Sequence, residues 1–400
     1  MPYDLIWFLL PVAAASGWWM ASRQSRNKGG RPQGRISADY YKGINYFLNE
    51  QPDKAIDVFI RMLELDSDTV EPHLALGNLF RRRGEVDRAI RIHQNLIARP
   101  TLDKMQRDQA LLELGHDYLQ AGLFDRAESL LEELVDRDSK NLPALRLLRT
   151  IYEQEHEWLN VINVARKIDS SGQERLRHIV AQYYCEIAAE NIRAGDFAEA
   201  KKMLRRGLTQ HPDCGRALIL QIEMDDRKGS HRAVIKSCRR LLQQSPAYLA
   251  DVIEMMIRAY GALNRQKDME SYVESIINEQ MAIHPVLLYC DYLLAEQDAR
   301  LAAVFLERYL EGHPSLQGLQ RLLLLQSASG GDSDVTGVEK GQVSLSILGG
   351  LLENSPLYIC NNCGFSAMAR DWQCPGCRQW ETIDAVAGYV PGRENQLKAG

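Results

Sequence analysis

The feature that most constrains this chain is a period. Gly43 and Gly77 stand 34 residues apart. Each is followed three positions on by an aromatic (Tyr46, Phe80) and nine beyond that by an alanine (Ala55, Ala89). Gly115, Tyr118 and Ala127 repeat the pattern after a four-residue insertion, and Tyr152 falls 34 past Tyr118. Further on, the run around Gly195 and Ala200 is matched by that around Gly229 and Val234, with Pro212 and Pro246 closing the two units. Tyr260 with Met269, and Ala302 with Pro314, continue the series more weakly. About eight units result, the fourth, seventh and eighth degenerate.

Small residue, aromatic and alanine on a 34-residue period resemble the tetratricopeptide repeat. Each unit predicts a helical hairpin whose small residues (Gly43, Ala55, Gly77, Ala89) let two helices approach, while Gly84, Gly122, Gly195 and Gly229 end first helices. One hairpin cannot bury its apolar face, but a stack can. The fold expected is all-α, a repeat superhelix over 37–327 whose inner groove suits a polypeptide segment. By repeat grammar Asn78, Arg81 and Arg82 point inward, able to grip a carboxylate or a backbone; the competing reading of Arg81–Arg83 is a solvated helix face.

Two flanking signals complete the layout. Leu5–Ala21 is uncharged and apolar, at the short end of the ~17–25 residues that span a bilayer. Trp7 and Trp18-Trp19 sit at its ends as interfacial aromatics do. A cleaved signal peptide would carry its cations first; here Asp4 precedes the run and Arg23, Arg26, Lys28, Arg31 and Arg35 follow it. The reading is therefore an anchor at 1–22 and a basic segment at 23–36, with the rest of the chain on the cytoplasmic side. The formal net charge of −5, despite that basic window, leaves an acidic body that argues against nucleic acid as a partner.

Near the other end, Cys360-x-x-Cys363 and Cys374-x-x-Cys377 stand ten residues apart. Gly364 permits a positive φ after the first pair, and Pro375 stiffens the second. Two such knuckles form a tetrahedral four-thiolate cage suited to iron or zinc; disulfides or a redox pair fit the matched spacing less well. A module of this size (356–384) cannot build a core unaided, so the metal must hold it, with Tyr358, Phe365, Trp372 and Trp380 as apolar cover. Four thiolates leave no open position, which makes the site structural. A polar linker and connecting helix (328–355) precede the module, and a tail (385–400) follows. Cys185, Cys214, Cys238 and Cys290 read as small buried apolar residues in a reducing compartment. No phosphate loop, HExxH or GxSxG turn is present, and no set of histidines or acids assembles a reaction centre. A non-enzymatic role is expected.

Anchor, basic segment, repeat array and terminal rubredoxin-like (zinc-ribbon) module, in that order, resemble the lipopolysaccharide assembly protein B family of Gram-negative bacteria. The opening LLPVAAASGWWM, the second unit HLALGNLFRRRGEVDRAIRIHQNLI and the closing CNNCGFSAMARDWQCPGC carry the resemblance. It implies an inner-membrane adaptor that delivers the deacetylase committing precursor to lipid A to a membrane-anchored AAA+ metalloprotease. Other lipopolysaccharide synthesis proteins are implied as further partners, and Cys360, Cys363, Cys374 and Cys377 as metal ligands. The alternative class is a rubredoxin-like electron carrier on a repeat scaffold, which would require iron.

Overall fold

The computed structural model describes residues 38–329, except 66–68, 171, 173–174, 279–281 and 297–298, together with 350, 352 and 355–386. The anchor, the basic segment, nearly all of the linker and connecting helix, and the tail beyond Val386 lie outside the described residues. Among those described, no helix is long and apolar enough to cross a membrane. The chain divides into two compact units, residues 1–151 and 152–400.

In the first unit, α1 (Ala38–Leu48), α2 (Pro52–Leu65), α3 (Val70–Arg82), α4 (Val86–Ile97), α5 (Lys104–Gln120) and α6 (Phe124–Arg137) pair as three successive hairpins; α7 (Leu142–Gln154) crosses the division. The buried stripes have helical spacing: Ala89, His93 and Leu96 on α4, and Ala127, Leu131 and Leu134 on α6. The periodic glycines sit where helices touch. A Cβ on Gly43 would lie 2.7 Å from the Phe59 ring, and one on Gly115 would lie 2.9 Å from Leu131. At Gly77 it would collide with the imidazole of His93, a fully buried residue. Asp103 caps α5 reciprocally with Gln106.

The second unit continues with α8 (Trp158–Ser170), α9 (Arg177–Ala194), α10 (Phe197–Gln210), α11 (Gly215–Arg227), α12 (His231–Gln244), a 3₁₀ turn (Pro246–Tyr248), α13 (Leu249–Ala262), α14 (Gln266–Ile277), α15 (Ile283–Glu296), α16 (Ala299–Gly312) and α17 (Leu316–Ser329). One apolar core runs from Leu218 to Leu325, through Tyr260, Tyr289 and Leu306. The turn that ends first helices recurs with one geometry. Glu50, Gly84, Gly122, His156, Gly195, Gly229 and Asn264 all have positive φ. After each, the next N–H returns to a carbonyl five residues back, as in Gln51 to Tyr46, Glu85 to Phe80, Glu157 to Tyr152 and Arg265 to Tyr260. The fourth and seventh units look degenerate in sequence partly because histidine and asparagine occupy the left-handed position there.

The C-terminal module is a three-stranded antiparallel sheet. Its central strand β1 (Tyr358–Cys360) pairs with β2 (Ser366–Ala367) and β3 (Ile383–Ala385). Its own core is small: Tyr358, Cys360, Cys374 and Ile383.

Candidate metal centre

The two cysteine knuckles repeat one hydrogen-bond pattern. Cys360 N–H donates to Phe365 O and Gly364 N–H returns to Cys360 O; Cys374 N–H donates to Gln379 O and Arg378 N–H returns to Cys374 O. Gly364 (φ 77°) and Arg378 (φ 57°) hold equivalent left-handed positions, so the second knuckle makes the same turn without a glycine. Each knuckle thereby turns its two sulfurs toward the other.

The four sulfurs lie within 4.8 Å of one another, with Cys360–Cys377 at 3.7 Å and Cys363–Cys374 at 3.6 Å. A tetrahedral ion with metal–sulfur bonds of about 2.3 Å has sulfur–sulfur edges of about 3.8 Å. The cage therefore fits such an ion, whereas a disulfide would bring two sulfurs to about 2.05 Å. Burial opposes ionisation of Cys360, but the Thr382 hydroxyl, 3.3 Å away, and the backbone N–H groups of Cys363 and Asn362 outweigh it and bring the thiol down to about 6. Cys360 and Cys374 are buried and Cys363 is exposed. These four residues would hold the ion, which would supply a cross-link in place of a core.

The module does not stand alone, because it is seated on helices of the second unit. Trp380 meets Trp158 and Tyr183 edge-on, with ring centroids 6.4 and 5.8 Å away. Glu381 accepts a 2.6 Å hydrogen bond from Nε2 of the fully buried Gln182, and burial raises its carboxyl above the ordinary range. Arg216 lies over both Trp372 and Trp380 and is paired with Glu186 at 2.8 Å. Tyr248 of the 3₁₀ turn packs against Trp372, and His284 of α15 against Tyr358.

Arg370 is the centre of this seat. Its Nε faces both oxygens of Asp251 at 3.2 and 3.3 Å, and its Nη atoms donate to Ile383 O and Ala247 O. The rings of Tyr248, Tyr358 and Trp372 surround its guanidinium at 5.0, 5.2 and 5.9 Å. Trp372 and Trp380, expected as cover for the module itself, thus face the helices. Arg370, Asp251, Gln182, Arg216 and Glu381 carried no local signal, since their partners lie far away in sequence. The aromatic surplus of so small a module was the one available hint.

Of the three inward positions named from the repeat pattern, Asn78 and Arg82 line a cleft between α1, α3 and α5. Arg81 is committed elsewhere, to Glu113 at 2.7 Å and to Asp117 at 2.8 Å. Asp117 also holds His93 Nδ1 at 2.5 Å, which makes a buried network between hairpins. Cys185, Cys214, Cys238 and Cys290 are free and buried.

Stacked helical hairpins bearing a four-cysteine knuckle define a tetratricopeptide-repeat protein with a rubredoxin-type metal module. Residues 73–105 match the tetratricopeptide repeat model and residues 358–385 match the rubredoxin metal binding domain. The lipopolysaccharide assembly protein B of Escherichia coli K12 is 34% identical over 391 residues, covering 96% of this chain and 98% of the relative. That of Haemophilus influenzae is 33% identical over 400 residues, with the same coverage of each. The chain belongs to the lipopolysaccharide assembly protein B family.

Proposed function

We propose that this protein serves lipopolysaccharide assembly as a non-catalytic adaptor tethered to the inner membrane. In this reading it presents the lipid A-committing deacetylase to a membrane-anchored AAA+ metalloprotease and so sets lipopolysaccharide supply. Family membership supports the pathway, and the repeat array supplies binding surface. The observation that carries an adaptor role is the seating of the module on α9, α11, α13 and α15 through Trp380, Arg216, Arg370 and Tyr358. It ties first helices of successive hairpins into one surface, so the iron or zinc held by Cys360, Cys363, Cys374 and Cys377 shapes the array and needs no open coordination site. A tether of residues 1–22 would raise the array's effective concentration against membrane-bound partners without any new contact.

The test is deacetylase half-life in cells carrying the full chain, a chain lacking residues 1–21, or none, at equal expression. Depletion is expected to lengthen the half-life, and the untethered form is expected not to restore it. An unchanged half-life on depletion would remove the adaptor role. Full activity of the untethered form would remove the tether from the mechanism.

A further inference from the structure

The cleft in the first unit has a chemistry of its own. It is about 280 Å³ and is lined by the apolar side chains of Ile44, Phe47, Leu74 and Leu79, with Asn78 between them. Asn78 Oδ1 is buried and has no hydrogen-bond partner. Native proteins seldom leave such a group unsatisfied without a use for it. An amide offers a donor and an acceptor side by side, which matches one peptide unit of an extended backbone.

The rim is charged at both ends. Arg81, Arg83 and Arg88 are each paired with a carboxylate, to Glu113, Asp53 and Glu85. Arg82 has no carboxylate partner among the described residues; its guanidinium rests 4.6 Å over the Phe47 ring. At the other end of α3, Glu71 is exposed and likewise without an ion-pair partner among the described residues. Eleven residues of helix separate the two charges by about 16 Å, which an extended segment crosses in about five residues. The basic window at 21–35 carries five cations and no acid, the wrong sign to pair with Arg82.

We propose that this cleft binds an extended polypeptide segment of a partner protein, with a large apolar side chain in the centre and a carboxylate on the Arg82 side. Asn78 holds the backbone, Arg82 reads the carboxylate, and Glu71 favours a cation at the opposite end. This deepens the adaptor reading and rests on it for the identity of the partner, but not for the chemistry of the cleft.

The test uses the full-length protein in detergent micelles and two fluorescein-labelled pentapeptide probes. These are acetyl-Lys-Ser-Leu-Ser-Asp-amide and its reverse, because the charge order is fixed by the cleft while the chain direction is not. At least one is expected to bind saturably by anisotropy. Arg82→Glu should weaken it at least tenfold, and replacing the peptide's Asp by Lys should reverse the preference in that variant. Asn78→Leu should also weaken every probe at least tenfold while leaving the melting temperature unchanged or higher, since it removes an unsatisfied buried carbonyl. Absence of saturable binding by both probes, or indifference to Arg82→Glu, overturns the proposal. So does a halving of the particle mass in Arg82→Glu, which would make a second copy the occupant. If the probes fail while depletion still lengthens deacetylase half-life, only the cleft assignment falls. If they bind and the half-life does not respond, the adaptor reading falls.

Discussion

Replacing Arg370 by leucine tests whether the module is seated as described. The Arg370 side chain is 7% exposed and Asp251 is 14% exposed. Breaking a buried pair by removing one partner leaves the other charge in a low-dielectric site and costs about 3 kcal/mol. Hydrogen bonds to Ile383 O and Ala247 O are lost as well, but these terms overlap and are not summed. A penalty of about 3 kcal/mol weakens docking roughly a hundredfold. The assay is urea-induced undocking followed by tryptophan emission and acrylamide quenching, because Trp158 and Trp380 are buried at the seat.

Loss of this ion pair has two further consequences that a generic packing defect would not share. Burial already holds the Asp251 carboxyl above its ordinary range, partly offset by Arg370. Without the arginine it rises further, so the docked state takes up a proton that the undocked state does not. Docking of Arg370→Leu should therefore strengthen as pH falls through the raised range of that carboxyl. Adding Asp251→Leu should recover part of the loss by removing the stranded charge. A penalty below about 1 kcal/mol, a pH-independent one, or a double variant worse than the single would refute the assignment of Arg370 as the buried keystone.

Three other outcomes are expected. Native protein should carry about one metal ion per chain; Cys360→Ser should abolish it, and tryptophan emission should report release of Trp380 from the helices, whereas unchanged emission would show that the seat forms without metal. Glu381→Gln should strengthen docking by about 1 kcal/mol above the carboxyl's raised range, by removing a buried charge and offering a donor to the unpartnered Gln182 Oε1. That gain should vanish as pH falls and Glu381 takes up its proton, which urea midpoints across pH would reveal. Asn264→Gly should raise stability by about 1 kcal/mol, read from thermal unfolding, because glycine adopts the left-handed turn without strain.

The repeat was legible because its chemistry is local. Gly43 against Phe59, Gly77 against His93 and Gly115 against Leu131 are contacts inside one hairpin, so period and contact coincide. Where His156 and Asn264 take the glycine's place the backbone is unchanged but the letter is not, and the pattern fades. The four cysteines were legible for the same reason, each knuckle being a local turn. Asn78 and Arg82, named from repeat position, line a cleft, whereas Arg81, one residue away, joins a network with α5 that no period reports. The seat of the module was invisible: Arg370 and Asp251 are 119 residues apart, and nothing near either one announces the other.

That last contact also sets an order in time. Arg370, Trp372 and Trp380 leave the ribosome after every helix they dock on, and their sheet has only four core residues until a metal arrives. Each newly made chain therefore passes through an interval in which Trp158, Tyr183 and Tyr248 lack their cover. Exposed aromatic surface of this kind is what chaperones and proteases recognise. A chain that ends before Arg370 never leaves that interval, and one that finds no metal is expected to remain in it longer. The number of finished molecules is therefore expected to follow metal supply as well as transcription, through a surface that the metal module closes after the helices beneath it have been made.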